Sequence, residues 1–484
     1  MELYDLTVYQ LSDLIKSKKL GVAELTKAII DRIKKIDGNI GSYITVLEED
    51  AIKQSEKIQE KINKGTAKSP LAGIPMALAD NICTKGIKTS CASKMLENFT
   101  PPYSATVYNK LLSEDTVLMG KLNTGEFSMG DTTGNSYYKP YKNPWNTYRV
   151  AGDSNGGGAA AVAAGLAGFA LASDMDGSIR RPASFCGVLA LKPTYGLVSR
   201  YGLIASAPSL EQIGSVTKDV TDCALVLNAI QGYDKRDSTS VNKGYTDYTR
   251  ALVNDIKGMS IGIPKEYITG EVDPEVKKAV LNSVKILTSL GAECEEFSLP
   301  VAEYAASVYY IISSAEASSN LARYDGIKYG YRAKEYKDLL DLYKKSRSEG
   351  FGKEVKKRIV LGTFVLSSEY YDKYYKKALK MRTLIIEAFI KAFDKYDVII
   401  APTVPTTAYK SERKTKEPFN KDYMYTVPAN IAGLPGMSIP CGVDKDGLPI
   451  GLHLVAKPFG ESTLLKLAYT FEQNTNFHKN RARI

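Results

Sequence analysis

Histidine is scarce in this sequence of 484 residues, which contains only two, His453 and His478. A Ser-His-Asp triad uses histidine as its base, and most catalytic zinc sites use it as a ligand. We therefore expect neither a triad of that kind nor a metal site, and we expect both histidines to be structural.

Cysteine is also scarce, and no two cysteines form a C-x-x-C pair. Pairs at that spacing are typical of zinc sites and redox motifs, and a dense set of cysteines is typical of disulfide-stapled secreted domains. We expect reduced, mostly buried thiols. They are Cys83, Cys91, Cys186, Cys223, Cys294 and Cys441.

Long hydrophobic runs are missing. The longest, residues 159–172, consists mostly of small residues and is shorter than the ~20 residues that a membrane-spanning helix needs. The first ten residues lack the basic segment and apolar core of a secretory signal. We expect a cytoplasmic protein without membrane contact.

Nucleotide-binding loops are missing as well. Gly156-Gly157-Gly158 is followed by an alanine-rich segment and not by G-K-[ST], so neither the P-loop nor the dinucleotide fingerprint fits. We expect no ATP hydrolysis by this chain, and no metal or organic cofactor in it.

The composition is that of an ordinary globular protein, with 44% hydrophobic and 24% charged residues. The net charge of +10 would suit an anionic partner such as tRNA, but solvated faces of lysine-rich helical stretches are the better explanation, and the charge by itself identifies no partner. No linker or internal repeat divides the chain. We expect one domain over residues 1–484, in which about 300–396 form a mainly helical layer.

Hydrophobic patterns that alternate between strand and helix periods predict an α/β sheet. Two helices within residues 7–36 open the chain, and a short alanine-rich helix at 159–166 lies between loops of small polar residues. Further strands are predicted at 73–82, 116–122, 169–172, 259–264, 398–401, 437–440 and 450–456, and further helices at 105–112, 217–230, 275–290 and 462–473.

Two serines, Ser154 and Ser178, lie in those loops of small residues. Backbone N–H groups converge in such loops and can bind an oxyanion. A serine nucleophile also needs a base, and where histidine is absent the usual alternative is a lysine kept deprotonated by burial. The position of that lysine decides whether the site works.

Long motifs in this region resemble the amidase signature family. They are Ser-Asp-x-x-Gly-Ser-Ile-Arg-x-Pro at 173–182, Phe-Cys-Gly-Val at 185–188 and Leu-Lys-Pro-Thr-Tyr-Gly-Leu-Val-Ser-Arg-Tyr-Gly at 191–202. Segments at 90–96, 313–331, 346–355, 401–403 and 430–435 are similar to the A subunits of tRNA-dependent amidotransferases. The resemblance implies an amidase-signature α/β fold, a mixed twisted β-sheet sandwiched between layers of α-helices.

The resemblance also implies roles for individual residues. Ser178 would attack the glutamine amide, Ser154 would be a serine with a cis peptide bond that relays the proton, and Arg358 would hold the glutamine carboxylate. The relay should end at a lysine, but that position is Ala79. We expect ordinary glutamine hydrolysis to be lost or strongly impaired.

Other departures from the family pattern fall around the same pocket. In the oxyanion loop, formed by Met175, Asp176 and Gly177, Asp176 replaces a glycine and would repel a developing oxyanion unless it is protonated or turned away. The remaining changes are Asp153 and Asn155 in the Ser154 loop, Gly134 in place of a glutamate, and Tyr423, beside Asp422, near the position of an aspartate that binds the glutamine amino group.

Three hypotheses remain open. The chain could be a pseudoenzyme scaffold, or an enzyme in which Asp153 and Asp176 do new acid/base chemistry or hold a small amide or amine ligand. These aspartates could instead face solvent or cap helices. The third hypothesis is a functional A-type protein that converts Glu-tRNA(Gln) to Gln-tRNA(Gln) with a substitute base. The lysines nearby in sequence are Lys85, Lys88 and Lys94.

The partners implied by the resemblance are B-type and C-type amidotransferase subunits. The B-type protein would bind tRNA and use the ATP, so this chain would meet tRNA through its partner.

Overall fold

The computed structural model describes residues 2–130, 134–410 and 421–484. Within these residues, eleven strands form one mixed sheet in the order β1-β3-β2-β6-β8-β7-β12-β13-β11-β9-β10, and β4 pairs with β5 in a separate hairpin. The strands are β1 Tyr43–Val46, β2 Pro75–Ala79, β3 Val117–Leu122, β4 Lys142–Asn143, β5 Asn146–Val150, β6 Phe169–Asp174, β7 Leu189–Lys192, β8 Gln212–Thr217, β9 Ser260–Pro264, β10 Glu293–Phe297, β11 Val398–Pro402, β12 Gly436–Val443 and β13 Pro449–Ala456.

Helices surround this sheet in layers, as predicted. They are α1 Val8–Lys16, α2 Val22–Ile40, α3 Glu48–Asn63, α4 Thr106–Ser113, α5 Gly156–Ala163, α6 Arg180–Cys186, α7 Val220–Ile230, α8 Glu266–Thr269, α9 Pro274–Ser289, α10 Ala305–Leu321, α11 Leu339–Gly350, α12 Lys353–Leu366, α13 Lys376–Phe393, α14 Val427–Ile431 and α15 Glu461–Gln473. Helices α10 to α13 lie in the segment near 300–396. The single-domain division stays a prediction.

The sheet contains both parallel and antiparallel strand pairs. Strand β2 runs parallel to both β3 and β6, whereas β6, β8 and β7 pair antiparallel with one another in that order. Because β2, β3 and β6 are parallel neighbours, their carboxyl ends meet at one edge. Ala79 ends β2, and the loop that carries Ser178 follows β6, so this edge holds the candidate site.

Hydrogen bonds attach helix α1 to helix α7: the N–H groups at the start of α1 donate to a carboxylate of α7. The Asp222 carboxylate accepts from Val8 N at 2.8 Å and from Tyr9 N at 2.9 Å, and Thr7 caps the helix through Gln10. The first N–H groups of a helix have no partner within it, so a carboxylate placed there stabilises the helix.

The alanine-rich helix α5 is buried along its whole length and runs close to the end of β3. A Cβ atom built on Gly157 would lie 2.2 Å from the Asn123 carbonyl oxygen, a distance at which no side chain fits. The glycines at the start of α5 therefore serve close packing, which brings Ser154 against the sheet edge.

Candidate active site

Ser178 lies in the loop between β6 and α6 and is fully buried. Its Oγ accepts from Met175 N at 3.3 Å and donates to the Ser173 carbonyl oxygen at 3.3 Å, while Asn155 Nδ2 lies 3.5 Å away. These hydrogen-bond partners, all within the described residues, are neutral groups. They hold the hydroxyl in place.

The loop around Ser178 depends on a glycine. Gly177 has φ +102, a left-handed conformation that side chains rarely adopt, and a Cβ atom there would lie 2.3 Å from Thr426 Oγ1. Thr426 Oγ1 donates to the Asp176 carbonyl oxygen at 2.7 Å, and Gly177 N donates to Asp174 Oδ1 at 2.8 Å. The Met175 N–H is directed at the nucleophile, whereas the Gly177 N–H is engaged by Asp174.

A buried ion pair lies beneath this loop. Arg180 binds Asp174 through Nε at 2.9 Å and Nη2 at 3.0 Å, and it also contacts Asn430 and His453 at 2.5 and 2.8 Å. Burial opposes ionisation of Asp174, but the charge of Arg180 outweighs it and lowers the pKa of the carboxyl to about 2. This network fixes the nucleophile loop to β13 and α14.

His453 has a structural role, as predicted for it. It is buried in β13, and burial together with the neighbouring Arg180 charge holds its pKa well below the usual value. It is therefore neutral and engaged with Arg180. All six cysteines are free thiols, as expected.

Ser154 departs from the expected geometry. No peptide bond in the described ranges is cis, so the prediction of a cis serine is wrong. The buried Ser154 Oγ makes no hydrogen bond within those ranges.

Ala79 is the position at which the resemblance places the base of the proton relay. It closes β2, opposite Leu122 of β3, and is 1% exposed, so its methyl group faces the protein interior. Within the described part of the chain, the buried lysines donate from Nζ to backbone carbonyl oxygens: Lys121 to Ile82 O, Lys192 to Pro193 O and Leu434 O, and Lys218 to Tyr4 O and Leu6 O.

The lysines considered as substitute bases lie on the surface. Lys85 is exposed, and Lys88 and Lys94 are half-buried. Lys94 Nζ lies over the Tyr331 ring at 4.2 Å, and Lys88 Nζ lies 5.5 Å from the Tyr138 ring. These cation–π contacts account for the two half-buried amines.

Asp153 is paired with a residue that the sequence reasoning missed. Its Oδ2 lies 2.9 Å from Arg181 Nη1, and both side chains are almost fully buried. The Arg181 guanidinium also stacks on Tyr423, 4.5 Å from the ring centre. Burial works against the charge of Arg181, but Asp153 and other acidic neighbours raise its pKa above the ordinary value, so the guanidinium stays charged.

Asp176 is turned towards Tyr309, whose hydroxyl donates to Asp176 Oδ2 at 2.7 Å. Burial raises the pKa of Asp176, and the Tyr309 hydrogen bond opposes part of that rise. The repulsion expected at an oxyanion is therefore reduced, since the carboxylate has a donor of its own. The alternative that both aspartates face solvent or cap helices is wrong, because Asp153 and Asp176 are 1% and 2% exposed and neither caps a helix.

Arg358 is retained and buried in α12. Nη1 donates to Ser313 Oγ at 3.0 Å, Nε donates to Glu354 Oε1 at 3.2 Å, and the guanidinium lies 3.8 Å from the Tyr310 ring centre. Tyr423 lies 5.2 Å from Tyr309 and 6.4 Å from Tyr310, centre to centre. The aromatic rings thus connect Arg358 to Arg181.

Gly134 lines a neighbouring cavity of about 280 Å³, together with Glu126, Glu354 and Lys94. A Cβ atom at Gly134 would meet nothing within 4 Å, so the missing glutamate leaves open space. Glu126 is 5% exposed and accepts from Ser93 Oγ at 2.5 Å and Gly352 N at 2.8 Å.

Glu126 should make stability depend on pH. Burial raises its pKa to about 7, so the folded state favours the protonated form. The stabilisation that comes from protonated Glu126 is then fully present below the pKa of glutamate in the unfolded chain, about 4.3. It is lost as the pH rises through 7. The melting temperature of Glu126→Gln minus that of the wild type should therefore increase between about pH 5 and pH 8.5. The exposed Glu349→Gln is the control and should show no such trend. A flat difference for Glu126→Gln would contradict the assignment.

Arg181 and Tyr309 are the site residues that sequence reasoning did not find. Arg181 falls at a variable position of the 173–182 motif, and its only signal is a second positive charge beside Arg180. Tyr309 lies in α10, more than 130 residues away, among 32 tyrosines. Nothing in the sequence singles it out.

The described residues contain no group of three or more His, Cys, Asp or Glu side chains placed to hold a metal ion. None of the described helices combines the length and the apolar character needed to cross a membrane.

Comparison with known proteins agrees with this fold. The family model described as Amidase matches residues 24–465, which is most of the chain. The chain belongs to the amidase family.

Individual relatives are more specific than the family model. The A subunit of glutamyl-tRNA(Gln) amidotransferase from Thermoanaerobacter pseudethanolicus is 55% identical over 99% of this chain and 98% of its own length. The crystal structure of the corresponding A subunit from Thermotoga maritima is 36% identical, with a TM-score of 0.81 over 98% of this chain and 96% of that one. Peptide amidase from Stenotrophomonas maltophilia is 28% identical, with a TM-score of 0.83 over 99% and 97%.

Proposed function

We propose that this chain takes the A-type role in a tRNA-dependent amidotransferase assembly but does not itself release ammonia from glutamine by the serine–serine–lysine route. The first part rests on relatives named as A subunits of glutamyl-tRNA(Gln) amidotransferase, which are 50–55% identical over nearly the whole chain. B-type and C-type subunits would be its partners, and tRNA would be reached through them.

The observation that carries the second part is Ala79. The position that the resemblance gives to the relay's base is a buried methyl group, and Nζ of the buried lysines Lys121, Lys192 and Lys218 donates to backbone carbonyl oxygens. General-base catalysis contributes about 10²–10⁴ in rate, and loss of one member of a unit that acts together can cost about 10⁶. A serine without a base is too weak a nucleophile for an amide.

A second candidate is a working glutaminase that forms Gln-tRNA(Gln) with a substitute base. It is favoured by the overall identity to named A subunits and by the retained Ser178 and Arg358. Asp176, two residues from Ser178, is the carboxyl with a raised pKa in this loop and would be the first base to test. Its hydrogen bond to Tyr309 makes it a poor acceptor for the serine proton.

One experiment separates the two candidates. The chain is co-expressed with B-type and C-type subunits, and the purified assembly is given Glu-tRNA(Gln), ATP and either glutamine or an ammonium salt. We expect the three proteins to co-elute, and we expect amide formation with ammonium but not with glutamine. An assembly built on an ordinary A-type protein is the control and should use both donors. Equal use of glutamine would support the substitute base, and failure to co-elute would contradict the A-type role.

A further inference from the structure

A second cavity, of about 490 Å³, opens at the start of α15, and we call it the α15 cavity. It lies beside the first residues of β9 and β11, and β11 is five strands from β6 in the sheet order. Neighbouring strands are about 4.8 Å apart, so roughly 20 Å of sheet separates this cavity from the Ser178 loop. The volume is that of a site for a small organic molecule.

Basic side chains dominate the polar lining of the α15 cavity. They are Arg250, Lys257 and Lys466. Among the described residues, Arg250 lies 3.5 Å from Asp247, and neither lysine forms an ion pair. The acidic lining residue is Asp397, whose Oδ2 accepts from Ser260 N at 3.0 Å. Three cations against one engaged carboxylate favour an anionic ligand.

The start of α15 adds hydrogen-bond donors to these charges. Ser462 and Thr463 line the cavity in the first turn, and no side chain of the described residues caps this 13-residue helix. Lys466 follows them at spacings of four and three residues, so the ammonium and the two hydroxyls lie on one face. Glu461, in the same turn, is buried and accepts from Thr194 N at 2.7 Å. Burial raises the pKa of Glu461, which favours its uncharged form.

The remaining wall of the cavity is apolar. It consists of Ala251, Val253, Ile256 and Met259, of which Val253 is 47% exposed. Arg250 lies at the edge of this wall, and a guanidinium can stack on a flat ring. An apolar wall beside a cluster of cations suits a molecule that has a ring at one end and an anionic group at the other.

We propose that the α15 cavity binds a nucleoside monophosphate, with the phosphate at the start of α15 beside Lys466 and the base on the apolar wall. A phosphate monoester carries nearly two negative charges and three acceptor oxygens, which lysines, hydroxyls and helix N–H groups all bind well. A free nucleotide and the 5′-phosphorylated end of an RNA present this same chemistry. The proposal does not depend on the A-type role.

Calorimetry with AMP, adenosine and inorganic phosphate at fixed ionic strength tests both ends of the ligand. We expect AMP to bind about 10-fold or more tightly than either of the others, the factor expected for one charged hydrogen-bonded group. Equal affinity for adenosine would contradict the phosphate site, and equal affinity for inorganic phosphate would contradict the role of the apolar wall. Absence of AMP binding would overturn the proposal.

Two variants locate the phosphate. Lys466→Met should weaken AMP about 10-fold and leave adenosine unchanged, whereas Lys278→Met, an exposed position on α9 outside the cavity, should change neither. Thr463→Glu puts a carboxylate in the first turn of α15, where it stabilises a helix, so the melting temperature should not fall while AMP binding weakens. Thr463→Gln is its neutral counterpart and should bind AMP nearly as well as the wild type. Unchanged AMP affinity in both Lys466→Met and Thr463→Glu would overturn the proposal.

Competition distinguishes the two sources of the phosphate. A short oligoribonucleotide with a 5′ phosphate is titrated against bound AMP, and the same oligomer without that phosphate is the control. Displacement by the phosphorylated oligomer alone would assign the site to an RNA end, and displacement by neither would assign it to a free nucleotide. Equal displacement by both would contradict a site for a terminal phosphate. These measurements need no partner subunit, so their failure is distinguishable from failure of the A-type role.

Discussion

Replacing Ala79 with lysine and Asp176 with glycine should raise the rate of ammonia release from glutamine by about 10²–10⁴ over the wild type, the contribution expected of a general base. Ala79 is buried at the end of β2, so a lysine amine there would be kept largely deprotonated by burial. The second change removes the carboxyl that now binds Tyr309 and restores a loop lined by backbone N–H groups. The wild type should release no more ammonia than Ser178→Ala.

The control for this gain is Ala79→Met with Asp176→Gly. It supplies similar bulk without an amine, so its rate of ammonia release should not exceed that of the wild type. Adding Ser178→Ala to the active variant should abolish the gain. If the double variant stays silent although it folds, the missing base is not what limits the pocket. If the wild type is already active and Ser178→Ala inactivates it, another base is at work and the proposal fails.

The ion pair beneath the nucleophile loop should have the largest effect on stability. Arg180→Met should lower the free energy of unfolding by about 3–5 kcal/mol, because it leaves the Asp174 carboxylate buried without its cation. Arg180 and Asp174 are both completely buried, and Arg180 also contacts Asn430 and His453. Urea unfolding, followed by circular dichroism, measures the change.

Arg149→Met is the matched control, since Arg149 pairs with Asp446 at 3.1 Å where the side chains are 21% and 54% exposed. Exposed pairs contribute about 0–1 kcal/mol, so this variant should unfold close to the wild type. If the two variants lost equal stability, the buried network would not hold the loop as described.

Much of the fold could be predicted because long, regular patterns dominate it. The strand ending at Ala79, the helix α7 and the antiparallel strands β12 and β13 all overlap residues predicted for them. Their apolar runs are bounded by turn residues, and such runs are the most readable signal in a sequence.

The strands that escaped prediction are short or lack that signal. β10, Glu-Cys-Glu-Glu-Phe, is mostly exposed and acidic, and it forms a strand because it pairs with β9 at the edge of the sheet. β7 and β8 are short buried segments of four and six residues, which periodicity alone does not separate from helix. Tertiary pairing determines their structure.

Some residues of the candidate site could also be predicted from the sequence, and others could not. Ser178, Ser154 and Arg358 could be located from motifs, because the resemblance fixes their register. The residues that pair with Asp153 and Asp176 could not be predicted. Asp153 contacts Arg181 and Asp176 contacts Tyr309 only after the chain folds. Local sequence does not encode which buried charges face each other across a loop.

The Asp153–Arg181 pair couples two positions of this pocket. An unpaired charge at either position would remove about 3–5 kcal/mol from a fold whose whole stability is of the order of 5–15 kcal/mol. We therefore expect tolerated changes to replace both members together. A lysine introduced at position 79 alone would leave this pair, and the pocket around it, unchanged.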